Sequence, residues 1–338
     1  MRIVAEIIRH PSIPHECDPG FWSRNTMRRY ALPILAIVLS VILSQAQTDV
    51  PATRIDVSHI SGNVYMLTKS RTIMYRGQNI EWTGNICASV GPDGVLLVDN
   101  GLEHVADSIK ASLISIGHGA IRTIVNTHWH QDHTGANHVL GAGIPIIAHE
   151  ITRKEMMTGK SYPNGYTIPP APREALPTIT FTDSLSVHFN GEEIVLLYFP
   201  HGHTEGDIGV YFTGSNVLYM GDTYNGHFFP RVVGDVQAYA ENYRRLIHRL
   251  PQDVHILSGH RPPASLEDVK VFQSMLSETI SVVRKQMEAG QTLDAIKEQG
   301  LPGRWQSWGR EDVVNALTAE EWIEVVYHSL SNHSIREQ

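Results

Sequence analysis

Cysteine is nearly missing: two in 338 residues exclude a disulfide-built scaffold and a thiolate zinc site. Long hydrophobic runs are scarce as well. The one apolar stretch of note, Ala31 to Leu43, is broken by Pro33 and Ser40 and is too short to span a bilayer. An excess of basic charge is absent, since 27 Lys+Arg stand against 35 Asp+Glu for a net charge of -8. The chain therefore carries no electrostatic footprint for nucleic acid or an anionic membrane surface. No Gly-x-Ser-x-Gly elbow and no phosphate-binding glycine loop occurs, which disfavours serine-hydrolase and nucleotide chemistry. What remains is a globular composition, 42% hydrophobic with 27 glycines, too apolar for a disordered chain. Histidine is the surplus: 19 of them, and imidazole with carboxylate is what a zinc site uses when thiolates are missing.

Residues 1–46 read as a leader to be set aside before any fold reasoning. Arg28-Arg29 gives a positive patch, Ala31 to Leu43 an apolar core, and Ser44-Gln45-Ala46 a small-x-small cleavage pattern. Cleavage after Ala46 starts the mature chain at Gln47 and leaves 338 − 46 = 292 residues. An uncleaved anchor is the alternative; no cysteine follows the run, which disfavours a lipoprotein. Met1 to Thr26, with Pro, Trp and mixed charges, is atypical ahead of a signal and points to Met27 as the true start. The expected location is periplasmic or secreted, with no stable membrane insertion after cleavage. Cys17 departs with the leader, and Cys87 is read as a small buried hydrophobe rather than a nucleophile.

The mature chain alternates short apolar strands with helical stretches. Val64 to Leu67, Ile86 to Val90 and Val95 to Val98 read as strands, and Gly91-Pro92-Asp93-Gly94 as a turn. Glu103 to Ile116 has helical spacing, with Val105, Ile109, Leu113 and Ile116 on one face. Further strands are expected at Ile121 to Asn126, Ile144 to Ala148, Ile179 to Phe181, Ser186 to Phe189, Ile194 to Phe199, Ile208 to Phe212, Val217 to Tyr219 and Val254 to Leu257. A helix covers Val236 to Leu250. Two β-rich halves, each clothed by helices, suggest stacked sheets with helices outside. Lys69 to Gly84 reads as a hairpin loop carrying Tyr75 and Trp82, and the proline-rich Gly159 to Pro177 as irregular. After Arg261 the chain turns helical. Leu266, Val269, Phe272, Leu276, Ile280, Val283 and Met287 form one stripe, and Thr318-Ala-Glu-Glu321 is a capping box for a last helix. The expected organisation is a leader at 1–46, an α/β domain at 47–262 and a helical extension at 263–338 packed on it.

The chemistry lies where the strand Ile121 to Asn126 runs into Thr127-His128-Trp129-His130-Gln131-Asp132-His133. Three imidazoles and a carboxylate in six positions arise by chance in roughly three chains per thousand of this composition. His128 and His130, two apart on an extended segment, point the same way and can hold one metal. Asp132 and His133 begin the next helix and turn towards a second. Three more candidates sit at strand ends downstream: His203 in Phe199-Pro-His-Gly-His-Thr-Glu-Gly-Asp207, Asp222 in Tyr219-Met-Gly-Asp222, and His260 in Leu257-Ser-Gly-His260. Together they complete three ligands for a first metal (His128, His130, His203) and three for a second (Asp132, His133, His260), with Asp222 bridging. His201 reads as a loop residue or a support behind the ligands. His227-Phe228-Phe229 lines the pocket mouth or simply packs.

With these four motifs in order, the chain from about Val57 to Pro262 resembles the metallo-β-lactamase superfamily. The resemblance implies a four-layer αββα sandwich with a dinuclear site, usually two zinc ions with iron or manganese as alternatives, at one edge of the sheets. Asp99, ending the strand Val95 to Val98, matches a position that in the family commonly supports the site; a strand-end turn residue is the alternative. A water shared between two cations loses a proton near neutral pH and becomes a nucleophile. Asp132 is the residue placed to orient it and to pass its proton to the leaving atom. The resemblance leaves the substrate open among small carbonyl compounds: β-lactam, lactone, ester or thioester. Asp222 stands where one group of β-lactamases has cysteine, and Asn225 where they commonly place a lysine that grips the drug's carboxylate. The lactonases' tyrosine has no clear counterpart, Tyr224 lying two residues after Asp222. A secreted metallohydrolase with at most weak β-lactamase activity is therefore expected. A phosphodiesterase and a di-iron oxidoreductase of the same fold are the alternatives; a non-catalytic binder is disfavoured because no ligand is missing. The partner is a small-molecule substrate, and the oligomeric state stays open.

Overall fold

The computed structural model describes residues 53–336, apart from 76, 118, 162–164, 166 and 315. The expected leader at 1–46, its cleavage site and the start at Met27 lie outside the described residues. In chain order the first half holds β1 (Arg54–Ser61), β2 (Val64–Tyr75), β3 (Gln78–Gly91), β4 (Gly94–Val98), α1 (Ala106–Ser115), β5 (Ile121–Val125), α2 (Gln131–Thr134), α3 (Asn137–Leu140), β6 (Ile146–His149) and α4 (Glu150–Thr158). Then follow β7 (Lys160–Ser161), β8 (Thr167–Ile168), β9 (Ile179–Phe181), β10 (Ser184–Phe189), β11 (Glu192–Tyr198), β12 (Ile208–Phe212) and β13 (Val217–Tyr219). The remainder is α5 (Val236–Arg249), β14 (His255–Leu257), α6 (Leu266–Glu288), α7 (Leu293–Gln299), α8 (Gly303–Gln306) and α9 (Ala319–Arg336).

Seven strands form one sheet in the order β1-β2-β3-β4-β5-β6-β9, and five form a second in the order β10-β11-β12-β13-β14. The first is antiparallel from β1 to β4 and parallel from β4 to β9; the second is antiparallel except for the parallel pair β13–β14. Alternation along each strand sorts side chains between two cores. Met66, Leu96 and Val98 meet Leu196, Val210 and Tyr219 between the sheets, whereas Leu67, Val95 and Leu97 face α1 and α3 through Ile109, Leu113 and Leu140. On the far side, Leu218, Met220 and Ile256 pack against α5, α6 and α9 through Tyr239, Phe272 and Trp322. The result is the four-layer αββα sandwich that the sequence led us to expect. Cys87 lies fully buried between the sheets.

The expected strand at Val64 to Leu67 runs on to Tyr75, and its partner begins at Gln78 rather than Ile86. The stretch 69–84 is thus a long regular hairpin instead of a loop, paired up to Tyr75 opposite Gln78. Polar residues there broke the apolar alternation that marks a strand, because this part of the hairpin leaves the core. Elements that escaped the pattern include β1, α3 and α4. Among the described residues of the proline-rich stretch only the two-residue strands β7 and β8 pair, and Ile168 and Ala171 pack with Trp129, Met156 and Leu176. The capping box forms as written: Thr318 Oγ1 accepts the Glu321 N–H, and the Glu321 carboxylate accepts the Thr318 N–H. No helix among the described residues is long and apolar enough to cross a membrane.

Candidate metal centre

Strand register brings the candidate residues together. Tyr219 pairs with Leu257 in the parallel β13–β14 ladder, so Asp222 and His260, each three residues further on, leave adjacent strand ends side by side. Val98 pairs with Val125 in the same sense, which sets Asp99 next to the segment carrying Thr127 and His128. The two sheets are tied at this edge: Ile208 N–H donates to the Thr127 carbonyl at 3.0 Å. Asn85 Nδ2 donates to the Ser258 and Arg261 carbonyls at 2.7 and 2.8 Å, clamping the turn that carries His260.

The segment expected to be extended bends at Thr127 to Trp129, while His130 keeps an extended backbone at φ -61°, ψ 144°. The bend still turns both rings inward, with His128 Nε2 3.1 Å from His130 Nδ1, while Trp129 is buried on the other side. His203 Nε2 approaches the same His130 Nδ1 at 3.0 Å. Across the site, His133 Nε2 lies 3.4 Å from His260 Nε2. Asp132 Oδ2 is 3.2 Å from His260 Nε2 and 3.6 Å from His133 Nε2. Asp222 stands between the two groups, 3.3 Å from His133, 3.2 Å from His260 and 3.6 Å from His203. Ligand atoms within 4.8 Å of one another form three sets: His128, His130 and His203; Asp132, His133 and His260; and His128, His133 and Asp222. All seven residues named from the sequence as ligands therefore share one site.

The groups behind the ligands set which ring nitrogen carries the proton. Asp99 is fully buried and holds a left-handed φ of 61°, a conformation that Asp tolerates better than most residues. Its Oδ1 accepts the Thr127 N–H at 2.8 Å, and its Oδ2 accepts the Thr127 hydroxyl and His133 Nδ1–H at 2.8 Å and the Tyr219 hydroxyl at 3.2 Å. A carboxylate on Nδ1 leaves the His133 Nε2 lone pair facing the site. The Thr83 carbonyl does the same for His260, accepting Nδ1–H at 2.6 Å. Asp99 is thus hydrogen-bonded to His133 from behind the site. Asp207, the last residue of the His203 motif, accepts the His203 and Thr204 N–H groups and the Thr204 hydroxyl, which folds the loop that presents His203. Burial lifts its carboxyl to about 7 against those donors.

Electrostatically the site has two halves. Burial, reinforced by neighbouring imidazoles, pushes His128 well below its ordinary range and His130 to about 3, so both are neutral donors of a lone pair. Burial opposes charge on His133 and His260 too, yet the Asp222 and Asp132 carboxylates outweigh it: His133 is raised well above its ordinary value and His260 to about 9. Asp132 and Asp222, despite burial, are held well below the usual carboxylate range by the facing imidazoles. Three converging ring nitrogens on one side cannot all be satisfied by sharing protons. The acidic half demands positive charge, and Asp222 Oδ1 is buried with no hydrogen-bond partner. Divalent cations meet all three conditions, so the donor set fits metal. At Gly259 a Cβ would stand 2.2 Å from Asp222 Oδ1 and 2.8 Å from His133 Cε1, so only glycine lets the Asp222 and His260 turns come this close.

Other residues separate from the site. His201 turns towards α5, its Nδ1 accepting the Asp235 N–H at 3.3 Å. Tyr224 is buried against Phe272 in the helical layer. Of the aromatic trio, His227 pairs with Asp268 at 3.6 Å, Phe229 stacks on Trp322, and only Phe228 lines a cleft beside His260. Sequence reasoning missed Lys69, a buried lysine whose Nζ donates to the Asp132 carbonyl at 2.7 Å. Nothing in the sequence singled it out: it lies between Thr68 and Ser70, two residues before Arg71.

Comparison with known proteins agrees with this geometry. Residues 83–260 match the family model described as the metallo-beta-lactamase superfamily. A hydroxyacylglutathione hydrolase of Thermosynechococcus vestitus is 29% identical over 154 residues, 46% of this chain and 54% of that protein. A metallo-beta-lactamase type 2 of Bacteroides fragilis is 25% identical over 174 residues, 50% of this chain and 64% of that protein. The chain thus spans between half and two thirds of the length of these relatives. Among solved structures, a metallo-beta-lactamase from Pontibacter korlensis superposes with a TM-score of 0.53 at 19% identity, covering 66% of this chain and 99% of that one. One from Hirschia baltica gives 0.51 at 19% identity, covering 66% and 97%; at this identity the likeness speaks for the fold.

Proposed function

The chain belongs to the metallo-beta-lactamase superfamily, and on that premise we propose that it is a secreted dinuclear zinc hydrolase of a small carbonyl compound. The observation that carries the reading is the convergence of seven ligand groups as two triads with Asp222 between them. The relatives named hydroxyacylglutathione hydrolase and metallo-beta-lactamase support hydrolysis, and the leader pattern supports export.

His128, His130 and His203 would hold one ion, Asp132, His133 and His260 the other, and Asp222 would touch both. When bound, the ions supply Lewis acidity and lower the pKa of a water towards neutrality. The protein's own groups do the rest. Asp132 is 26% exposed at its side chain whereas Asp99 and Asp222 are 1% and 7% exposed, so it alone of the three carboxylates reaches the open side. It would accept a proton from the attacking water and deliver it to the leaving atom. Asp99 and the Thr83 carbonyl keep His133 and His260 in the tautomer that presents Nε2. Lys69 fixes the Asp132 carbonyl and so the start of α2.

Metal quantification on the purified protein, followed by a panel of β-lactams, lactones, esters, thioesters and phosphodiesters, tests the reading. Two zinc ions per chain and carbonyl hydrolysis are expected, and both are lost in the double variant His130→Ala, Asp132→Ala. Hydrolysis that survives this double substitution overturns the mechanism, and iron with a visible chromophore replaces hydrolysis by redox chemistry.

A further inference from the structure

His260 forms the inner wall of a cleft of about 290 Å³ whose other lining residues include Ile80, Trp82, Phe228, Arg261 and Val314. The Trp82 ring lies 5.4 Å from the His260 ring, which places an aromatic wall against the metal centre. Opposite it, the Arg261 guanidinium sits 4.4 Å over the Phe228 ring. Arg261 Nε and Nη2 both donate to Asn225 Oδ1, at 3.0 and 2.9 Å, and Nη2 also donates to the Val314 carbonyl at 3.1 Å. Every one of these acceptors is neutral. No carboxylate pairs with Arg261 among the described residues, and Asp312, which lines the same cleft, is engaged by Arg310 at 2.6 Å. A guanidinium stays charged at neutral pH, and the carboxylate that acts on it through space is Asp222 of the metal centre.

A partly buried guanidinium held rigid by neutral acceptors is a costly arrangement unless an anion completes it. Two of its nitrogens are committed to orientation, while Nη1 makes no hydrogen bond to a described residue. The clamp is also not local: Asn225 is 36 and Val314 53 positions from Arg261. Val314 belongs to the C-terminal extension, beyond the 83–260 stretch that the family model covers. The extension therefore completes the cleft as well as covering the second sheet.

We propose that the substrate carries a carboxylate read by Arg261 Nη1 and an apolar or aromatic body lodged between Trp82 and Phe228, with the scissile carbonyl towards His260. This rests on the hydrolase reading above and adds the substrate class to it. A monoanionic carboxylate suits one uncommitted terminal nitrogen in an aromatic cleft. A phosphate dianion fits poorly, since Glu81 and Asp312 share the lining.

The test uses the metal-loaded full chain and a matched pair, 4-nitrophenyl hemiglutarate and its methyl ester, following nitrophenol release. Wild type is expected to prefer the acid in kcat/KM by about tenfold or more, the scale of a charge-assisted hydrogen bond, mostly through KM. Arg261→Gln should bring that ratio towards one, Arg261→Lys should retain part of it, and Asn225→Ala should reduce it by releasing the guanidinium. A ratio that survives Arg261→Gln in a folded variant, or a wild type without the preference, overturns the proposal. Should Arg261→Gln not fold, the Arg261→Lys and Asn225→Ala ratios decide by the same criterion. If neither ester is hydrolysed, the substrate panel above decides the hydrolase reading separately, and calorimetry with 3-phenylpropanoate against 3-phenylpropanamide decides the cleft. Acid-selective binding lost in Arg261→Gln supports the proposal; equal binding of the two, or selectivity that survives the substitution, sinks it.

Discussion

Replacing Asp99 by asparagine removes one charge without changing shape, and the hydrogen bonds around it fix the outcome. In the wild type four donors converge on two carboxylate oxygens: Thr127 N–H on Oδ1, and the Thr127 hydroxyl, His133 Nδ1–H and the Tyr219 hydroxyl on Oδ2. An amide can keep its oxygen at only one position. With oxygen on the Thr127 N–H, the NH2 faces His133 Nδ1, which must then become the acceptor and carry its proton on Nε2. The two hydroxyls can adapt, since Tyr219 already donates to the Asn85 carbonyl at 2.8 Å. The imidazole cannot adapt without turning an N–H towards the metal position. With the amide reversed, NH2 meets the buried Thr127 N–H, and that unsatisfied pair costs about 1–3 kcal/mol. Asp99→Asn should therefore weaken metal binding about 10- to 100-fold, equivalent to roughly 1.4–2.7 kcal/mol. Competition with a chromophoric chelator measures the affinity, and urea unfolding of the metal-free protein measures the structural share. Affinity within about threefold of wild type, at unchanged metal content, would show that the tautomer of His133 is not what Asp99 controls.

Other perturbations probe separate parts of the structure. Gly221→Ala introduces a side chain at φ 51° and sets its Cβ 2.6 Å from Thr127 Oγ1; a stability loss of about 1–3 kcal/mol together with weaker zinc binding is expected, read by urea unfolding and chelator competition. Trp322→Ala empties a fully buried site stacked on Phe229 and removes the Nε1–H donor to Thr279. A loss of about 3–5 kcal/mol should appear as a lower urea midpoint. Thr318→Ala deletes the cap of α9 at a cost of about 1 kcal/mol, measurable as a lower melting temperature with metal content unaltered.

Much of the molecule was legible in the chain itself because its signals are local. Strand alternation put Leu96 and Val98 on one face and Val95 and Leu97 on the other, as the two cores show. His128, His130, Asp132 and His133 fall within six residues, and His203, Asp222 and His260 each follow an apolar strand, so residue type and spacing sufficed to name them. The hairpin at 69–84 was missed because its pairing continues where burial no longer imposes a pattern. Lys69 stood at the start of the stretch read as a loop, and only the fold, closing over it, offered it the Asp132 carbonyl.

What only the tertiary structure decided are relations between distant segments. Parallel pairing of β13 with β14 aligns Asp222 with His260 across a helical crossover, and no short-range periodicity encodes that register. Asp99 became an anchor that accepts from four donors, Tyr224 went into the helical layer and Arg261 acquired a clamp from Asn225 and Val314. Side-chain type and backbone period are properties of neighbouring residues, whereas burial and hydrogen-bond partners arise only when loops close. That is why the candidate ligands could be named from the sequence, while the groups that orient them, and the cleft that would choose the substrate, came from the packing of the layers.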